Sequence, residues 1–123
     1  MILVDSSIWI DHLHVRDERI ASLAAAEMLL VHPFVIGEVL LGSLRERKTV
    51  VEYLTGLPEA DLAETSEVFD FLERFRLFGR GIGFVDLHLL VSTRLTPMAK
   101  LWTRDKRLLA AAEELGISYR SDH

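Results

Sequence analysis

The sequence predicts an α/β domain built on a short parallel sheet, and three observations carry that reading. Apolar runs too short for helices recur along the chain, at Ile2-Leu3-Val4, Met28-Leu29-Leu30-Val31 and Leu101-Trp102. Longer amphipathic or Ala-rich stretches of helical character separate them. Gly and Pro stand at the joins, at Gly56-Leu57-Pro58, Thr96-Pro97 and Gly116. Strands that alternate with helices in this way are joined by right-handed crossovers into a parallel sheet.

The first strand, residues 1–4, ends on Asp5-Ser6-Ser7 and runs into an amphipathic helix containing Ile8, Trp9, Ile10 and Leu13. A charged turn at 15–19 leads to an Ala-rich helix at 20–26. A second buried strand spans 28–32 and is closed by Pro33, a residue tolerated in a helix's first turn. The next helix, 34–42, is almost wholly apolar, with Glu38 as its only charge. A more polar helix opens at Arg45-Glu46-Arg47-Lys48 and breaks at Gly56. Residues 63–78 form the clearest amphipathic helix, with Val68, Phe71, Leu72, Phe75 and Phe78 on one face as core. A flexible loop at 79–83 precedes an apolar helix holding Asp86. A strand at 99–103 follows, then a helix at 106–115 capped by Gly116, and a short last strand at 117–119.

At 123 residues the chain suits one domain, 1–123, and half its residues are hydrophobic, enough to bury a core. It has no cysteine, which removes disulfides, thiolate metal sites and cysteine nucleophiles and suits a reducing cytoplasm. The N-terminal apolar run meets Asp5 too soon to be a signal peptide. No stretch approaches the roughly 20 apolar residues that span a bilayer, so no membrane partner is expected. A net charge of −5 argues against gripping nucleic acid by bulk charge, but not against a nuclease whose acids gather at a metal.

Four carboxylates stand apart from the surface acids. Asp5 ends the first strand, where open α/β sheets place their ligand crevice. Glu38 interrupts an apolar helix, Asp86 starts another, and Asp105 follows the Leu101-Trp102-Thr103 strand. Asp5, Asp86 and Asp105 also suit helix N-caps. Glu38 instead pairs with a buried Arg, lies on an exposed stripe, or joins the other acids. Two unit charges about 4 Å apart repel by about 4 kcal/mol at an effective dielectric near 20, so gathered acids call for protons or cations. Hard oxygen ligands without Cys or paired His favour Mg²⁺ or Mn²⁺ over zinc, and those ions suit phosphoryl transfer.

The order Val4-Asp5-Ser6-Ser7-Ile8-Trp9, then Gly37-Glu38, then Gly81-Ile82-Gly83-Phe84-Val85-Asp86, then Leu101-Trp102-Thr103-Arg104-Asp105 resembles a PIN-domain nuclease. More narrowly, it resembles the VapC-type ribonuclease toxins of bacterial toxin–antitoxin pairs. The likeness spans essentially the whole chain, and only the aromatic frequent after the last acid is missing, replaced by Lys106-Arg107-Leu108. The resemblance implies a three-layer α/β/α, Rossmann-like fold and Mg²⁺- or Mn²⁺-dependent cleavage of RNA of the tRNA or rRNA class. It also implies a homodimer and a VapB-type antitoxin. It assigns Asp5, Glu38, Asp86 and Asp105 as catalytic metal ligands, with Ser6 and Thr103 as accessory hydroxyls.

Arg104 and Lys106, beside Asp105, are candidates to hold RNA phosphates, or else belong to solvated helix faces. His12, His14, His32, His88 and His123 show no metal spacing and read as structural or surface residues. Trp9 and Leu13, four residues apart, are expected to pack on the sheet. Other readings are an RNA-processing nuclease with no antitoxin and a PIN-like scaffold without catalysis. A signalling receiver domain has the same size and pattern. It needs a phospho-acceptor Asp mid-chain, where this sequence offers only Val50-Val51-Glu52.

Overall fold

The computed structural model describes residues 1–120, so His123 lies outside the described residues. The sheet has three parallel strands in the order β2-β1-β3: β1 is Ile2–Val4, β2 is Leu29–Leu30 and β3 is Lys100–Trp102. The first strand lies at the centre because it is apolar at every position and buried on both faces. The expected strand at 117–119 is reduced to a bridge. Leu101 N–H donates to Ile117 O at 2.7 Å and Tyr119 N–H to Leu101 O at 2.8 Å, with no further ladder.

Helices α1 (Ser6–His14), α2 (Glu18–Ala25), α3 (Pro33–Leu40), α4 (Arg47–Thr55), α5 (Thr65–Arg74), α6 (Phe84–Leu95) and α7 (Lys106–Glu114) surround the sheet. α1 packs on α3, α3 on α4, and α6 on both β3 and α5, giving a three-layer α/β/α arrangement. Leu3, Ile8, Leu89, Leu90, Leu101 and Leu108 are fully buried where the layers meet. Each such side chain contributes about 1.5–3 kcal/mol by leaving water.

Two helical expectations are corrected. α5 stops at Arg74, because Arg76 takes a left-handed φ of 52° and Leu77 N–H turns back to Leu72 O at 3.1 Å. Phe78 is thereby carried out of the helix into solvent, while Val68 keeps the core position expected of it. On α1, Trp9 is buried as expected, but Leu13 faces outward, because the helix presents only Ile8 and Trp9 to the interior.

Candidate acidic site

The carboxyl ends of β1 and β3 build one corner of the site. The register pairs Val4 with Trp102, and Asp5 N–H extends that ladder by donating to Trp102 O at 2.9 Å. The next residues, Asp5 and Thr103, therefore emerge side by side. Thr103 Oγ1 donates to Asp5 Oδ2 at 2.8 Å and accepts from Asp105 N–H at 3.1 Å. Asp5 Oδ1 accepts from Ser6 N–H at 2.7 Å, so the contact from Ser6 comes through its backbone. Asp5 and Thr103 are both buried.

Capping and site membership are compatible. Asp5 is the N-cap of α1, and Asp105 is the N-cap of α7, its Oδ1 accepting from Arg107 and Leu108 N–H at 3.0 Å. At Asp105 the cap occupies Oδ1 alone, whereas at Asp5 Oδ1 takes Ser6 N–H and Oδ2 takes the Thr103 hydroxyl, each oxygen keeping a lone pair. Asp86 does not cap: Gly83 does, and Asp86 sits in the first turn of α6.

Asp86 ties the four acids together. Its carboxyl is pushed up from 3.8 to about 6, first by burial, then by the negative charges of Asp5, Asp105 and Glu38. A helix N-terminus favours an ionised acid, so burial and like charge outweigh the α6 dipole. Glu38 lies on the exposed stripe of α3, with Phe34, Gly37 and Leu41, while Val35, Ile36 and Val39 face the core. That stripe borders the site closely enough for the Glu38 charge to reach Asp86.

Among the described residues, no three His, Asp or Glu side chains converge tightly enough to cage an ion. Oxygen donors that crowd electrostatically without forming a cage fit a hydrated hard cation, held by one or two carboxylates and otherwise by water.

An open cavity of about 1340 Å³ lies against Thr103, its wall carrying Arg16, Arg19, Arg104, Lys106, Trp102 and Tyr119. Arg104 is engaged there, its Nη1 donating to Asp11 at 2.6 Å and its Nη2 lying 3.5 Å from Asp17; Lys106 is exposed. Arg16 and Arg19 escaped the sequence reading, because only the fold brings the α1–α2 turn against β3 and α7. Of the described histidines, His32 and His88 are buried, His12 accepts Asp17 N–H at Nδ1 and His14 is exposed. His32 is buried, accepts Phe34 N–H at Nδ1, and is held down at about 4 by burial and by His88.

The sequence model of the PIN domain matches residues 2–114, so this chain belongs to the PIN-domain family. Ribonuclease VapC32 of Mycobacterium tuberculosis, in strain CDC 1551 / Oshkosh, is 45% identical over 118 residues, covering 96% of this chain and 95% of the relative. The same-named protein of strain ATCC 25618 / H37Rv matches equally, with 45% identity over 118 residues. PIN-domain ribonucleases typically use divalent metal ions. Among the described residues, no helix is long and apolar enough to cross a membrane.

Proposed function

We propose that this chain is a metal-dependent endoribonuclease, the toxin of a toxin–antitoxin pair, which cleaves RNA of the tRNA or rRNA class and so inhibits translation. The observation that carries the mechanism is the raised Asp86 carboxyl, kept hard to ionise first by burial and then by the charges of Asp5, Asp105 and Glu38. Mg²⁺ or Mn²⁺ is the cation of choice for such a site, supplying Lewis acidity that neutralises the phosphodiester and acidifies the attacking water.

Asp5, Glu38, Asp86 and Asp105 are the proposed catalytic and metal-binding residues. Thr103 fixes Asp5 through Oδ2 and meets the backbone of Asp105, so one hydroxyl spaces two of the acids. Ser6 completes the hold through its N–H on Oδ1. Water oxygen attacks phosphorus in line, the P–O3′ bond breaks, and the 3′ oxygen leaves protonated, giving 5′-phosphate and 3′-hydroxyl ends. Arg104 and Lys106, on the cavity wall of mixed charge beside Thr103, where Asp17, Glu18 and Glu113 also stand, are the proposed phosphate contacts.

A VapB-type antitoxin and a homodimer belong to the same reading. Exposed Leu13, Leu41 and Tyr53 on the packed α1–α3–α4 side supply apolar surface for such partners. The proposed setting is the cytoplasm.

The test is Asp5→Asn. Asparagine still accepts from Ser6 N–H through Oδ1 and can donate from Nδ2 to Thr103 Oγ1, so circular dichroism should match the wild type, while RNA cleavage in Mg²⁺ should fall below detection. Wild-type activity in excess chelator, or full activity of the variant, contradicts the mechanism.

A further inference from the structure

We propose that Phe34 and Phe84, extended by Phe69, form a stacking platform for unpaired nucleobases next to the acidic site. The inference rests on the ribonuclease reading and names how that site holds its substrate.

Apolar side chains belong inside, yet these three phenylalanines are 42%, 52% and 51% exposed. They form one row. The rings of Phe34 and Phe84 stand 4.9 and 4.8 Å from the His88 ring, at interplanar angles of 68° and 88°, and Phe69 lies 6.1 Å from Phe84. His88 and His32 are buried behind them, with the two imidazoles 6.4 Å apart and Phe34 also 4.9 Å from His32. The exposed rings therefore rest on a packed base that fixes their orientation, so little is lost in ordering them when a flat ligand arrives.

The position selects the ligand. Phe34 lies one turn before Glu38 on the exposed stripe of α3, and Phe84 lies two residues before Asp86 in the first turn of α6. The helices of Phe34 and Phe84 thus also carry acids of the site, while Phe69 stands on α5. Gly83 caps α6 without a side-chain hydrogen bond, which leaves backbone N–H groups of that turn beside the rings. Rings for bases next to donors for phosphate match a single strand of nucleic acid.

The experiment follows binding of a fluorescein-labelled, mixed-sequence single-stranded RNA by anisotropy, with Ca²⁺ in place of Mg²⁺. Leucine keeps the apolar bulk and removes the ring, so Phe34→Leu and Phe84→Leu should each bind about tenfold more weakly. Phe84→Tyr should restore binding. On an RNA of the same length made abasic, wild type and leucine variants should bind alike. Unchanged affinity in the leucine variants, an equal penalty on abasic RNA, or a lowered mass in sedimentation overturns the platform and leaves the ribonuclease reading standing. Failure of the wild-type chain either to bind or to cleave RNA overturns that reading and the platform with it.

Discussion

Thr103 makes the most of a single hydroxyl: it donates to buried Asp5 and accepts from the part-buried backbone N–H of Asp105. Thr103→Val keeps the shape but strips a donor from one carboxylate and an acceptor from one N–H. Urea unfolding should show a loss of about 1–3 kcal/mol, the cost of leaving buried polar groups unpaired. Cleavage should fall about 10–100-fold, as when the support of a metal ligand is removed. Thr103→Ser, which keeps the hydroxyl, should recover most of both. The two cations beside it separate in the same way. Arg104 is already shared between Asp11 and Asp17, whereas Lys106 is exposed. Lys106→Ala should therefore lower the salt slope of RNA binding by about one unit, and Arg104→Ala should lower it by less.

At the scale of elements, the 79–83 loop decides where α6 starts and hence where Asp86 stands. Gly81 holds it with φ 76°, and a Cβ there would press on the Arg107 guanidinium and the end of its stem. Because the Arg107 head is free to move aside, the lasting cost of Gly81→Ala is the left-handed backbone, about 1 kcal/mol in a thermal melt. Cleavage should drop with it, since the loop sets the Asp86 approach. The helices were legible because their apolar positions recur at helical spacing, and β1 because it is apolar throughout. The end of α5 was not: the apolar period runs on through Phe75 and Phe78, and nothing in it records the left-handed turn at Arg76. The last strand failed for the opposite reason, since Ile117-Ser118-Tyr119 has strand residues but only one bridge to fill. Asp5, Asp86 and Asp105 were visible as acids at element ends. The exposed stripe of Glu38 and the row of rings beside it required the fold, because α3 and α6 lie far apart in sequence.

On the scale of the whole molecule, Asp86, a proposed catalytic acid, opposes folding when ionised, and pH exposes the conflict. Asp86 has a carboxyl at about 6 in the folded chain against 3.8 ordinarily. Between those values the folded state binds more protons than the unfolded state, so the Asp86 contribution to stability falls as pH rises toward 6 and stays low above it. His32 acts in the reverse direction. Its imidazole sits at about 4 against 6.5, so the unfolded state takes up the proton first and stability is lost as pH falls below 6.5. The two slopes overlap and partly cancel in a wild-type pH profile. Comparison with Asp86→Asn separates them, because His32 is common to both proteins. In chelator above about pH 6 the variant should be the more stable, by about 1 kcal/mol once solvent screening of this half-buried group is allowed for. Its advantage should shrink as pH falls below 6 and approach zero at about pH 3, where Asp86 is protonated in both states. Saturating Mg²⁺ should close the gap at pH 7 from the other side, by stabilising the wild type, while the variant stays inactive on RNA. A variant less stable than wild type in chelator at pH 7 would mean that Asp86 is held by a favourable partner rather than crowded by three acids.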